Sequence, residues 1–462
     1  MAGLGWRSIR ARQPMHLSAS WGLLLHALAS IAALVAMITW LRVHPFIALI
    51  LSSALLGLSC DMPPGVVVHT FEKGFGDILG FAGITIALGA MLGQLLVTSG
   101  GAQNLAQALV RLFGPRRVPW AMATTAMLLG LPLFFEIGFV LLLPLAKSVA
   151  RRLQEGPIRL VLALLAGLSA VHCLVPPHPG PLLAIHIYGA DTGKTLLYGL
   201  IAALPAVILA GIVYGGFIAR RLDSPSGPAT LAVPISEEAL KRPAGAGIAL
   251  ATLLVPVVLM LLGMLAPLLN GSNPWHGWLA GLGEPVVALL TALLMGMLTL
   301  GATRGLAMDR IRHTLDASLA PIAAVLLLIG AGGGLKQMLV DSGVGAAMGR
   351  LAMQLPWSPL VLAYMVAALI RLATGSATVA TITGAGLMAP VAAMPGSHRE
   401  LLVLATGAGS LIFSHVNDAG FWMVKGFLSL SLRDTLLTWT AIQTILSLAA
   451  MAMVLLLAQV IA

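Results

Sequence analysis

The chain repeats itself at an offset of about 240 residues, and the repeats fall where polar residues interrupt apolar helices. Gln94-Leu-Leu-Val-Thr-Ser-Gly100 returns as Gln337-Met-Leu-Val-Asp-Ser-Gly343. Pro177-His178-Pro179-Gly180 aligns with Asn417-Asp418-Ala419-Gly420, and Thr195-Leu-Leu-Tyr-Gly199 with Thr435-Leu-Leu-Thr-Trp439. A membrane chain built of two related halves, each with a Pro/Gly-broken helix at the same place, carries the signature of a secondary transporter. The expected division is an N-terminal tail (1–20), a first transmembrane repeat (21–219), a cytoplasmic linker (220–245) and a second transmembrane repeat (246–462).

The membrane assignment follows from solvation. Hydrophobic residues make up 59% of the chain and charged residues 9%, against about 25% charged in a soluble domain. Without water, backbone groups must be satisfied within the fold, so the spans are read as helices. The net charge of +10 needs no nucleic acid, because an excess of Lys and Arg on cytoplasmic loops has the same effect. Cys60 and Cys173, both in apolar surroundings, make neither a disulfide framework nor a thiolate metal site.

Each half reads as five spans and one re-entrant hairpin. The first has spans near 21–41, 45–60, 78–98, 158–187 and 196–219, and the second near 246–269, 284–301, 319–340, 400–429 and 435–461. Arg116, Arg117 and Lys147 put positive charge at both ends of 118–146, so that segment is expected to enter, turn at Phe134–Gly138 and leave on the same side. Its counterpart runs from Trp357 to Pro395 and is expected to turn at Thr374–Thr378. Five crossings per half predict that the two repeats have inverted topology. With a cytoplasmic linker most Lys and Arg fall inside; Arg7, Arg10 and Arg12 oppose this, so either the bias elsewhere overrides them or translation starts at Met15, which would remove all three.

Ionisable and helix-breaking residues at membrane depth mark the candidate site. Glu136 is the sole acid between Asp77 and Glu155; it reads as a proton- or cation-binding group, or as a cap on the second hairpin helix. Around His178, the run Pro176-Pro-His-Pro-Gly-Pro181 cannot continue a helix, which frees backbone groups beside His178 and Gly180 for a ligand. His172 lies one to two turns earlier. Gly375, Ser376 and Thr378, in Arg371-Leu-Ala-Thr-Gly-Ser-Ala-Thr378, offer amides and hydroxyls at a helix start, suited to an anionic oxygen. Ser414-His415-Val-Asn417-Asp418-Ala-Gly420 offers donors and acceptors together. Lys336 reads as structural, snorkelling or paired with Asp341. A zinc enzyme using His172, His178, His415 and Asp418 lacks both the His-x-x-x-His spacing and an adjacent base, and Gly330–Gly334 lacks the strand and Lys-Ser/Thr of a phosphate loop. A channel needs a continuous polar lining, whereas the polar groups here gather at the broken regions.

From about Leu23 onward the chain resembles the gluconate permease family, sugar-acid:proton symporters of the ion transporter superfamily. The resemblance is carried by Gly89-Ala-Met-Leu-Gly93, Phe135-Glu-Ile-Gly-Phe-Val140, Pro176-Pro-His-Pro-Gly-Pro181, Lys194-Thr-Leu-Leu-Tyr-Gly199, Gly375-Ser-Ala-Thr-Val379 and Phe413-Ser-His-Val-Asn-Asp418 with Gly420-Phe-Trp422. Ala419 departs from the proline usual in that motif. The resemblance implies a transporter and not an enzyme, in the bacterial inner membrane. It implies a small sugar acid as substrate, no cofactor, a homodimer in lipid and an elevator-like transport unit. The carboxylate is expected on Ser376 and Thr378, the hydroxyls on Asn417 and His178, and proton coupling on Glu136 or Asp418, with His172 and His415 next. D-serine or glycerate as substrate, and sodium as coupling ion, stay open at this stage.

Overall fold

The computed structural model describes residues 17–154, 156–222, 243–266, 269, 274–345, 347, 358–415 and 418–461. Every regular element among them is helical. The first half contains α1 (Leu17–Thr39), α2 (Pro45–Ser59), α3 (Pro64–Thr98), α4 (Gly101–Phe113), α5 (Val118–Gly130), α6 (Phe135–Leu153), α7 (Pro157–Leu174) and α8 (Pro179–Tyr188). It closes with α9 (Thr192–Val207), which passes through a π-helical stretch into α10 (Gly215–Ala219). The second half contains α11 (Ala246–Gly263), α12 (Pro274–Gly283), α13 (Pro285–Gly296), α14 (Met308–Ala317), α15 (Ala323–Asp341), α16 (Pro359–Thr374) and α17 (Ala377–Ala392). It ends with α18 (Arg399–Leu411), α19 (Ala419–Leu428), α20 (Leu432–Thr435) and α21 (Ala441–Ile461).

Proline begins many of these helices, where its missing N–H costs no internal hydrogen bond and its φ is already helical; α2, α3, α7, α8 and α16 all start this way. Eight helical segments among the described residues are long and apolar enough to cross a membrane. The helices α2, α16 and α17 are apolar but shorter.

The expected spans near 45–60 and 400–429 are not among those eight, since α2 is short and α18–α19 is interrupted. The structure departs from the sequence expectation in four further places. The third span of each half is longer than predicted: α3 covers 35 residues from Pro64, and Met308–Asp341 covers 34. Glu72, Lys73 and Asp77 read as loop because they are charged, yet they sit exposed along α3 without interrupting it. The amphipathic helix α4, unassigned by apolar run length, packs against α5 and α11. The first hairpin turns at Leu131–Phe134 rather than at Phe134–Gly138, because Pro132 ends α5 early and Phe135 already starts α6. Asp341 does not pair with Lys336; it accepts from Gln337 Nε2 (2.9 Å) and Thr70 Oγ1 (3.2 Å).

The second hairpin turns where its glycine predicts. Gly375 adopts φ 71° as the cap of α16, and Ser376 caps α17 by accepting from the Val379 N–H at 3.3 Å. The two expected broken spans are α7–α8, interrupted at Val175–His178, and α18–α19. Val416 and Asn417, in the second interruption, lie outside the described residues, as do the N-terminal tail with Arg7, Arg10, Arg12 and Met15, and most of the linker.

Packing does not respect the repeat boundary. One large apolar core combines α5, α6, α7 and α9 with α18 and α21, and a smaller one joins α1 and α2 to α15. The glycine-rich run Gly330–Gly334 is helix in α15, where it admits α3. A Cβ on Gly333 would strike the Gly74 carbonyl and sit 2.6 Å from Ile78 Cγ1, and one on Gly330 would meet the Phe75 ring at 2.5 Å. Close approach of small residues supplies packing where lipid removes the hydrophobic drive between helices.

Gly333→Ala should force α3 and α15 apart, at about 1–3 kcal/mol for overpacking a tight contact, and lower the melting temperature of the detergent-solubilised protein. Gly65→Ala, at an open position on α3, should leave it unchanged. Equal melting of both variants and wild type would show that the glycine contact does not hold the two helices.

Candidate functional site

The hairpins and the start of α19 converge, beside the end of α7, on one cavity of about 270 Å³. Three helices begin at its wall: α6 with Phe135 and Glu136, α17 with Ala377 and Thr378, and α19 with Ala419 and Gly420. Unpaired N–H groups and the positive end of the helix dipole favour anions at such places. Ser169, His172 and Cys173 enter from α7, Ser410 from α18, and Gln443 from α21.

The strongest interaction in the cavity is an ion pair. Arg371, near the end of α16, reaches Asp418 Oδ2 through its Nη2 at 2.5 Å, and the side chains are 4% and 13% exposed. A second guanidinium N–H donates to the Gly375 carbonyl, which binds Arg371 to the hairpin turn just after its own helix. Arg371 Nε has no hydrogen-bond partner among the described residues, and neither does His172 Nδ1. Asp418 is engaged three ways. It accepts from Arg371 and from the Ser414 hydroxyl, and its Oδ1 accepts from the Gly420 N–H at 2.8 Å as the N-cap of α19. Ser414 is in turn fixed by Trp439, whose Nε1–H donates to its Oγ at 2.6 Å, and by the Thr440 hydroxyl at its carbonyl. Gln443 Nε2 donates to Ser169 Oγ at 2.7 Å.

Of the sequence candidates, Glu136, His172, Gly375, Ser376, Thr378 and Asp418 share this cavity. Glu136 is exposed, in the first turn of α6. His178 is buried outside the cavity lining: its Nε2 is hydrogen-bonded to the Gly130 carbonyl and its ring stands edge-on to His172, centroids 4.9 Å apart. It holds the α7–α8 break against the end of α5. Gly180 faces Thr381 of α17, with 3.5 Å left for a Cβ. His415 lies outside the lining, with Nε2 at 3.2 Å from the Leu372 carbonyl. Asn417 lies outside the described residues.

Arg371 is the principal residue that the sequence reading left without a role, although an arginine between two apolar hairpin helices is itself a strong signal. Ser169 and Ser410 were detectable as well, since they stand at nearly the repeat offset from one another. Gln443 sits alone in an apolar helix with no local motif, and only the fold brings it in; Trp439 closes the repeated Thr435–Trp439 motif, but its contact with Ser414 comes from the fold.

A sequence profile described as the GntP family permease matches residues 22–461. The chain belongs to this family. It is 52% identical to a gluconate permease of Pseudomonas aeruginosa over 95% of this chain and 98% of that protein. It is 42% identical to a high-affinity gluconate transporter of Escherichia coli (92% and 96% covered) and 39% identical to the Gnt-II system L-idonate transporter of the same organism (91% and 95%). In fold it is similar to the YdaH transporter of Alcanivorax borkumensis, with TM-score 0.62, 19% identity, and 96% and 98% of the two chains covered. Neisseria gonorrhoeae MtrF gives 0.61 at 14% identity. A permease is a transporter and not an enzyme. Its apolar spans place this one in the bacterial inner membrane as a multi-pass protein.

The cap and the ion pair at Asp418 are separable. Asp418→Asn keeps a side-chain oxygen for the Gly420 N–H, whereas Asp418→Ala removes it; the alanine variant should be less stable than the asparagine variant by about 1 kcal/mol, the usual worth of an N-cap. Thermal unfolding of both variants in one detergent measures this, and identical melting would mean that the α19 cap contributes nothing.

Proposed function

We propose that this permease imports gluconate, or a sugar acid closely similar to it, by proton symport. One observation carries the reading: a single cavity joins a buried guanidinium and three helix N-termini to a wall of hydroxyl and amide side chains. A carboxylate needs the first set of groups and a polyhydroxy chain the second. The names of the relatives, gluconate permease and L-idonate transporter, support the same substrate class. In this reading Ser376, Thr378 and the start of α17 receive the carboxylate beside Arg371. Ser169, Ser410, Gln443 and Asn417 serve the hydroxyls. Glu136 and Asp418 are the carboxylates available to a proton.

The architecture we propose has two repeats of opposite topology, so that each hairpin dips in from its own side of the membrane and the breaks meet near mid-depth. A homodimer in which the hairpin-bearing unit moves past a fixed scaffold, in the manner of an elevator, completes the proposal.

Uptake into proteoliposomes, with pH and sodium gradients imposed separately, tests the function. Gluconate should accumulate with an inside-alkaline pH gradient and no sodium gradient, ahead of glycerate and D-serine. Ser376→Ala should weaken gluconate and glycerate alike, by about fivefold to 150-fold if a buried hydrogen-bond partner is orphaned, equivalent to about 1–3 kcal/mol. A loss confined to the longer acid would move the carboxylate elsewhere.

Inversion is tested by labelling. Position 115 is exposed before α5, and a Cβ at position 156 meets nothing within 4 Å. Pro115→Cys and Gly156→Cys should both escape an impermeant thiol reagent in intact cells and react after permeabilisation. Labelling of only one of them in intact cells would make 118–146 a true crossing and end the inverted-repeat proposal.

A further inference from the structure

Arg371 and Asp418 form the one buried ion pair among the described residues; the other two pairs, His69–Glu72 and Arg312–Asp316, are mostly exposed. A buried pair in a substrate cavity is unusual for a structural purpose, because desolvation offsets much of its Coulomb gain. This pair is also incompletely satisfied, since Arg371 Nε has no partner among the described residues while the side chain is 4% exposed. A planar guanidinium that gives one N–H to Gly375 and one to Asp418 suits carboxylates, and with its Nε enclosed, a second carboxylate gains it by displacing Asp418.

We infer that the substrate carboxylate and Asp418 compete for Arg371, and that this exchange is what couples the proton to the anion. The inference rests on the sugar-acid reading above and assigns its coupling device. In the empty site Arg371 is paired with ionised Asp418, and the pair is neutral. When a sugar-acid anion binds Arg371, the Asp418 carboxylate loses its cation and takes a proton from water on the outer side, forming a neutral carboxylic acid that still accepts from the Gly420 N–H. Arg371 with the bound anion is again neutral. On the cytoplasmic side the anion leaves, Asp418 gives its proton to water, and the original pair re-forms. One proton and one anion cross together, and no bond other than that O–H is made or broken.

Coupling follows from charge. The empty and the doubly loaded forms both carry zero charge at the pair, so both can reorient. Anion without proton leaves the pair with one net negative charge, and proton without anion leaves Arg371 unopposed. Either state buries an uncompensated charge, which is strongly disfavoured away from water. Other titratable groups share the surroundings of Asp418: Glu136 from α6, His172 and Cys173 from α7, and His415 within the same break. Each keeps one protonation state through the cycle in this scheme, so the count stays at one proton per anion.

The test uses the full-length protein in proteoliposomes with labelled gluconate. A potential of 100 mV changes the accumulation ratio of a transported unit charge about 50-fold, so electroneutral exchange predicts a wild-type ratio near unity under a potassium–valinomycin potential without a pH gradient. A pH gradient of one unit should give about tenfold accumulation. Asp418→Asn should lose pH-driven accumulation yet retain counterflow, because its loaded form is neutral while its empty form holds a bare guanidinium. Potential-driven uptake in wild type would overturn the exchange whether or not any variant folds. So would undiminished pH-driven accumulation in Asp418→Asn. Absence of gluconate uptake under every gradient would instead remove the sugar-acid reading, and the exchange with it.

Discussion

At the depth of a lipid bilayer a peptide group has no water to turn to, and the rest of the structure follows from where this chain finds substitutes. Most of it satisfies the requirement with uninterrupted helix. At four places, Leu131–Phe134, Val175–His178, Gly375–Ser376 and the break before Ala419, it does not. The first two are buried in protein and the third nearly so. The Gly130 carbonyl meets His178, the Gly375 carbonyl meets Arg371, the Gly420 amide meets Asp418, and the Ser414 carbonyl meets Thr440. The polar residues of the broken regions are therefore both the repair of the backbone and the lining, or the immediate backing, of the cavity. That double duty explains why so few polar residues mark the site in a chain with 9% charge.

The helical architecture was legible because its signals are long and physical. Apolar run length located eight of the ten expected spans, proline and glycine located the breaks, and self-similarity paired them across the chain. What run length misjudged were helices that leave the apolar pattern without leaving helical geometry, as at the start of α3 and in α4, where charged or amphipathic faces read as loop. The first hairpin turn falls a few residues before the polar motif around Glu136, because Pro132 ends the helix there.

The site was legible where the local chemistry was dense. Ser376, Thr378 and Asp418 stand in short polar motifs, and the fold brings them together. His178 stands in the densest motif of all, yet the fold turns it toward a carbonyl, because a helix break must be fastened as well as filled. Arg371 was in plain view, but its meaning depends on a partner 47 residues away, a distance over which sequence spacing carries no geometry. Gln443 and Trp439 depend wholly on the packing of the last helix.

Glycines hold the broken helices to their neighbours as closely as backbones allow. A Cβ on Gly407 of α18 would meet the Cys173 carbonyl of α7, one on Gly409 the Tyr364 carbonyl of α16, and one on Gly199 of α9 the Leu174 carbonyl at the very end of α7. Contacts of this kind leave no side chain to act as a cushion, so one backbone cannot slide against the next without a clash. The two broken helices, although they come from different halves of the chain, are clamped into a single stiff block. A single methyl group added at any of these three glycines would therefore meet a carbonyl rather than a side chain that can turn away, and a whole helix would have to give.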